Sequence, residues 1–274
     1  MQQLPLAALT AVLVLAACSG GGEKGVETVA TSMTTTTVNT VSHFTLYYLD
    51  GEHLWATPAQ FANAAPTPSE AVEALLANEA GRASEIPPGT ELTRVVVADG
   101  TATVDLSREF ESGGGSTSMQ ARVAQVVFTL TQWPWISRVT FELGGDPVEA
   151  IGGEGVPARE VTRDDLNDVL PPIFLDPPLE TATSPLSLSG SASVYEGTVS
   201  FRLEAEGETL ASGFTTAAEG GPGRGDFHAL LEFDVDEPTD ATLVAFERSA
   251  ADNSETKVAR SSVRLCPAGT TVPC

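Results

Sequence analysis

The chain of 274 residues carries 37 acidic against 14 basic side chains, a formal net charge of −23, and 42% of its residues are hydrophobic. Residues 41–160 hold 16 acids against 6 arginines and residues 161–274 hold 19 acids against 7 bases, so the acidity belongs to the whole body and not to a tail. Such a surface repels phosphate backbones and argues against nucleic acid as a partner. After Cys18 no apolar run approaches the roughly 20 residues that a bilayer-spanning helix needs, which argues against a multispanning protein.

The chain opens on an apolar stretch, Leu4 to Leu15, of signal-peptide length and too short for a comfortable span. No Lys or Arg precedes it, so the initiator amine is its only positive charge. It closes on Leu15-Ala16-Ala17-Cys18, which resembles the lipobox of bacterial lipoprotein precursors. The resemblance implies removal of residues 1–17, a diacylglyceryl group on Cys18, and a bilayer as the first partner. Two acyl chains hold firmly where one anchors only marginally. Residues 18–41, with Gly20-Gly21-Gly22 and Thr34-Thr35-Thr36-Thr37, read as a disordered Gly/Ser/Thr tether. A flexible linker of that length reaches about 25–30 Å.

The first folded segment, residues 42–153, starts with strand-like His43 to Leu49, stopped by Asp50-Gly51, and a second short strand at Leu54-Trp55-Ala56. Tyr47 and Tyr48 put one ring on each face, so at least one is expected to be partly exposed. A helix follows: Thr67 and Glu70 have capping-box spacing, Pro68 suits the first helical position, and Gly81 the C-terminal cap. Its apolar face is Val72, Leu75 and Leu76. Asp99-Gly100 joins Leu92–Ala98 to Thr101–Leu106 as a hairpin turn, with Ala102, Val104 and Leu106 on the core face and Thr101, Thr103 and Asp105 on a wet face. After Gly113-Gly114-Gly115 the spacing predicts a second helix, with a capping box at Thr117 and Gln120 and a buried stripe of Met119, Val123, Val126, Val127 and Leu130. Trp133-Pro134 ends it, and Val139, Phe141 and Leu143 alternate in the next strand. The economical arrangement is α+β: a mostly antiparallel sheet with two helices on one face.

Pro87-Pro88-Gly89-Thr90, Val95-Val96-Val97, Asp99-Gly100, Val104-Asp105-Leu106-Ser107-Arg108-Glu109-Phe110, the helix from Val126 to Gln132 and the strand Val139–Leu143 together resemble the GerMN domain of sporulation and germination proteins. That resemblance implies an exported α+β module and no particular chemistry.

Residues 154–178 form a Pro-rich connector, with a short helix expected within Thr162 to Leu170. Pro171-Pro172 and Pro177-Pro178 bracket Ile173-Phe174-Leu175, an extended apolar triplet expected to pack where the two domains meet. In residues 179–265, short β-like runs recur at Leu186–Leu188, Ala192–Tyr195, Thr198–Glu204, Thr209–Phe214, Phe227–Phe233, Ala241–Glu247 and Val258–Leu265. The expected turns between them include Gly190. That pattern reads as an all-β sandwich. Ser184-Pro185, Leu188 to Ala192, Val194-Tyr195-Glu196-Gly197, Gly225-Asp226-Phe227 and Phe246 to Ser249 resemble the immunoglobulin-like domain of bacterial spore germination proteins, with Asp252-Asn253-Ser254 departing from the family's Gly-containing turn.

No residue pattern singles out a catalytic or metal site, and no cofactor is implied. His43, His53 and His228 lack partners at zinc-site spacing. Asp234, Asp236, Glu237 and Asp240 crowd a strand end, but Pro238 and Thr239 break the EF-hand pattern, favouring a solvated turn over calcium. Gly220 to Gly225 lacks the phosphate-loop ending and reads as a flexible strand connection. Trp133 and Trp135 form either an exposed aromatic anchor or, the favoured reading, buried core. Cys266 and Cys274, in a tail of residues 266–274, either stay free or close a small loop. An oxidising compartment favours the bond, worth at most about 2–3 kcal/mol.

The reading that best joins these features is a non-enzymatic lipoprotein on the extracytoplasmic face of the cell membrane. It would act as a binding or scaffolding module for an envelope protein or wall polymer, with self-association as a narrower option. The alternative is an envelope enzyme or small-ligand receptor with its site between the two domains, near Ile173-Phe174-Leu175.

Overall fold

The computed structural model describes residues 43–61, 65–153, 155–176 and 180–274, all within one compact unit, Asn39–Cys274. Leu15, Ala16, Ala17 and Cys18 lie outside the described residues, as does the tether.

Strands β1 (His43–Asp50) and β2 (His53–Gln60) form a two-stranded antiparallel ribbon that, among the described residues, joins no other sheet. Helix α1 (Pro68–Ala77) starts on the expected capping box: Thr67 Oγ1 accepts the Glu70 N–H at 3.2 Å, and the Glu70 carboxylate accepts the Thr67 N–H at 2.6 Å. Its C-terminal cap is Asn78, left-handed at φ 42°, and not Gly81. Asn tolerates that conformation, so the helix ends sooner than the glycine suggests.

Strands β3 (Leu92–Ala98) and β4 (Thr101–Leu106) pair antiparallel about Asp99 and Gly100, both at positive φ. Helix α2 (Ser116–Leu130) then crosses over, so that β4 and β5 (Arg138–Leu143) run parallel. The capping box expected at Thr117 and Gln120 does not form. The helix begins two residues earlier, and its N-cap, Gly115, has no side chain to contribute. A short β6 (Asp146–Pro147) completes this sheet, and β7 (Ala150–Ile151) pairs with β8 (Val156–Pro157). On the wet face of β4, Asp105 is buried all the same, its carboxylate accepting the Gly145 N–H at 2.8 Å.

Both tyrosines of β1 are buried, against the expectation of an exposed ring. The ribbon has a helix on each side of it. Tyr47 packs on Phe128 of α2 with centroids 5.4 Å apart, and the Tyr48 hydroxyl reaches the carbonyls of Ala74 and Leu75 at 3.4 Å on α1. Burial pushes the Tyr48 hydroxyl pKa up to about 12.

The second module is a β-sandwich. One sheet has the order β10 (Thr181–Thr183), β16 (Glu255–Cys266), β15 (Thr239–Arg248), β12 (Thr198–Ala205), β13 (Glu208–Thr216); the other has β14 (Gly225–Leu231), β11 (Leu186–Ala192), β9 (Ile173–Asp176). The connector thus donates an edge strand, β9. Of the two runs read as separate strands, β11 takes in Leu186–Leu188 and only the first residue of Ala192–Tyr195, whose end forms a short 3-10 turn, and Gly190 lies inside β11. Glycine is required there because the Phe174 carbonyl oxygen of β9 would sit 2.0 Å from a Cβ. Cys266 and Cys274 are disulfide-bonded, tying the last residues to the end of β16.

A candidate binding site at the junction of the two modules

Helix α2 is buried around nearly its whole circumference, and among its buried residues are three polar ones, Arg122, Gln125 and Thr129. Gln125 and Thr129, with Gln132 just beyond the helix, share one face at i, i+4 and i+7 spacing, and that face lies along the outer edge of β1. Gln132 accepts the Thr45 N–H at 3.0 Å and donates to the Thr45 carbonyl at 2.9 Å. Thr129 accepts the Tyr47 N–H at 3.3 Å, and Gln125 donates to the Tyr47 carbonyl at 3.1 Å. Leu49 N–H goes to the Ala83 carbonyl at 2.9 Å. A helix face therefore stands in for a neighbouring strand, and the edge of β1 is closed. Arg122 donates to the carbonyls of Phe110, Ser112 and Gly113, holding the loop before its own helix.

The two hydrophobic cores meet at β9. Phe174 belongs to the first, packed against Tyr47 and Phe128, while the adjacent Ile173 belongs to the second. Two arginines hold the segment that carries this strand, one from the connector and one from the sandwich. Arg163, in the connector, lies over the Phe128 ring at 4.7 Å, donates to Thr131 Oγ1 at 2.8 Å, and faces the Asp176 carboxylate at 3.8 Å. Arg224 donates to the Pro171 carbonyl at 2.7 Å and to Ser191. Burial pulls its guanidinium below the usual arginine range.

Clefts open on either side of β9. The polar one, about 550 Å³, is bordered by Arg163, Asp176, Arg224, Asp226 and His228. Burial raises the Asp176 carboxyl above the usual aspartate range; Arg163 opposes the rise, Asp226 adds to it, and His228 opposes it. The apolar one, about 440 Å³, has Leu54, Trp55, Ile173, Leu175 and Val258 in its walls, and a shallower groove of about 640 Å³ continues it past Trp55 toward Arg264.

His53 borders the apolar cleft, His228 the polar one, and His43 opens β1. Trp133 is buried against Phe44, at a centroid distance of 5.1 Å, whereas Trp135 is 61% exposed, so the expectation of core burial fails for the second ring. Asp240 pairs with Arg264 at 2.6 Å. The glycine-rich loop is more than a flexible link, since it carries the Arg224 clamp and a Cβ on Gly225 would meet the Glu219 nitrogen at 2.1 Å. Among the described residues no group of three His, Cys, Asp or Glu side chains is placed to hold a metal ion, and no helix is long and apolar enough to cross a membrane. The polar face of α2 and the two clamping arginines were missed in the sequence; the i, i+4, i+7 spacing of Gln125, Thr129 and Gln132 on an otherwise apolar helix was the signal available.

Residues 45–149 match the Germane family model, described as sporulation and spore germination, and residues 177–254 match Gmad2, the immunoglobulin-like domain of bacterial spore germination. Among solved structures, the first GerMN domain of the sporulation protein GerM from Bacillus subtilis is 25% identical, with a TM-score of 0.36 over 44% of this chain and 97% of that one. The tandem GerMN domains of the same protein are 18% identical, with a TM-score of 0.39 over 70% of this chain and 61% of that one. A putative lipoprotein from Clostridium perfringens is 18% identical, with a TM-score of 0.34 over 47% of this chain and 93% of that one. None of the curated proteins matches the chain.

Proposed function

We propose, for a chain that carries a Germane domain followed by a Gmad2 immunoglobulin-like domain, a role as a lipid-anchored binding or scaffolding module on the extracytoplasmic face of the cell membrane, in processes of the sporulation and germination type. The observation that carries the binding role is the junction. With Ile173 in one core and Phe174 in the other, the two modules share a strand and present clefts built from both. The partner in this reading is an envelope protein or a wall polymer, or a second copy of the chain. The anchor rests on Leu15-Ala16-Ala17-Cys18, with residues 18–41 as tether, 42–153 and 179–265 as the two domains, and 154–178 between them.

Fractionation of cells producing Cys18→Ala tests the anchor. Release of the variant into the soluble fraction supports it, and retention on membranes after a high-salt wash removes it. Crosslinking in intact cells, with partners identified by mass spectrometry, tests the binding role. A second reading, an envelope enzyme or small-ligand receptor, draws on the polar cleft, where Asp176 and Asp226 lie with Arg163 and His228. Turnover of a wall-derived substrate that is lost in Asp176→Asn would replace the first reading with the second.

A further inference from the structure

Three strand edges, each with a stretch unpaired among the described residues, converge on the apolar cleft. In β2, residues paired with the outward-turned Thr45, Tyr47 and Leu49 turn their own backbone groups the other way, so Leu54 and Ala56 direct N–H and C=O away from β1. In β9, the Pro172 carbonyl accepts the Ser193 N–H on the β11 side, so by the two-residue period Ile173 and Leu175 point theirs away from β11. In β16, Arg264 turns its N–H to the Glu180 carbonyl beside β10, and Ser262 and Arg260 turn theirs the same way. None of these six outward-facing residues has a backbone partner on that side among the described residues.

Folded proteins close or blunt such edges. This chain does so elsewhere: α2 closes β1, and Pro58, at the next outward position of β2, has no N–H to offer. Strand β10 covers the same edge of β16, but only at Arg264–Cys266, leaving the stretch before it open. That edge accepts a strand in the one place where the chain supplies one. The remaining stretch is lined with apolar groups from Trp55, Leu175 and Val258, and it carries a cation. Lys257 is paired with Glu247 at 2.7 Å and Arg264 with Asp240 at 2.6 Å, whereas Arg260 is exposed and forms no ion pair among the described residues.

We propose that the cleft between β2, β9 and β16 binds an extended polypeptide segment of a partner protein, which adds as a strand to β16 along Arg260–Ser262 and places a carboxylate against Arg260. Backbone donors and acceptors at strand spacing match another extended backbone, whose own N–H and C=O groups repeat at the same interval, and alternate side chains of the guest would face the apolar wall. This names the site and the partner class for the binding reading above and rests on it.

Panning a phage-displayed random nonapeptide library on the purified full chain, followed by fluorescence anisotropy with synthesised hits, tests the proposal. Enriched peptides are expected to alternate apolar or β-branched residues with polar ones and to carry an acid. Ser262→Pro, which removes an outward N–H, should weaken binding at least about tenfold, while Ser262→Ala leaves it within about twofold and Arg260→Glu selectively weakens the acidic peptides. N-methylation at alternate peptide amides should abolish binding in one register and spare it in the other, a result that needs no protein variant to fold. Absence of enriched peptides, or binding indifferent to both Ser262→Pro and N-methylation, overturns the proposal. Either result leaves the Cys18→Ala fractionation unchanged, so the cleft and the anchor fail separately.

Discussion

The side-chain amide of Gln125 joins two segments that are far apart in sequence: it donates to the Tyr47 carbonyl at 3.1 Å and accepts the Glu85 N–H at 3.0 Å. Being fully buried, it leaves water no access to replace either bond. Gln125→Leu keeps the volume and leaves both backbone groups unsatisfied, a loss of about 1–3 kcal/mol. Urea denaturation should show a lower midpoint with an unchanged slope. Thr129→Val removes one longer bond and should cost less.

Phe174→Ala tests the shared strand. Truncating a buried aromatic ring costs about 3–5 kcal/mol. Because the ring belongs to the Germane core while its neighbour Ile173 belongs to the sandwich, the loss should fall between the modules. Calorimetry should show a single transition in the parent and two separated transitions in the variant.

Asp176 predicts a pH dependence with a defined sign. Its carboxyl is held above the ordinary value of 3.8, chiefly by burial. Below that ordinary value the group is protonated in both folded and unfolded chains and contributes no pH dependence. As pH rises, the unfolded chain ionises first, so stability falls until the folded-state pKa is passed and then levels off. The difference in denaturation midpoint between the parent and Asp176→Asn should follow that course between pH 3 and 7, with the parent losing ground as pH increases.

Gly190→Ala places a methyl group on the Phe174 carbonyl. Overpacking of this kind costs about 1–3 kcal/mol. Hydrogen exchange at the Phe174 and Asp176 amides, which face β11, should rise before exchange elsewhere in the sandwich.

Gly190 also marks the limit of reading this fold from sequence. A glycine among short β-like runs reads as a turn, yet here it marks the close approach of a strand that arrives from the connector, and local pattern does not distinguish the two. Much of what depends on neighbours along the chain was legible: the Thr67–Glu70 capping box, the Asp99-Gly100 turn, the α2 stripe, and the succession of an α+β module and a sandwich, although the caps expected at Gly81 and at Thr117 with Gln120 gave way to Asn78 and Gly115. What depends on distant partners was not. Both tyrosines of β1 are buried because helices flank the ribbon, and Trp135 is exposed because it sits within the turn that follows Trp133, where the Ile136 N–H bonds the Trp133 carbonyl. At the junction the apolar triplet was visible in the sequence, but the arginines that grip it come from positions 163 and 224 and could be paired with it only in three dimensions.

The sharing of β9 has a mechanical consequence. Ile173 and Phe174 are successive residues seated in separate cores, so no slack lies between the modules at that point. A pull on the sandwich reaches the Germane module through one peptide unit, and the load is taken in shear by the hydrogen bonds between β9 and β11. Under tension the two modules respond together until β9 strips from β11, after which a length of connector pays out as extended chain. Single-molecule stretching should therefore record a small extension before either module unfolds.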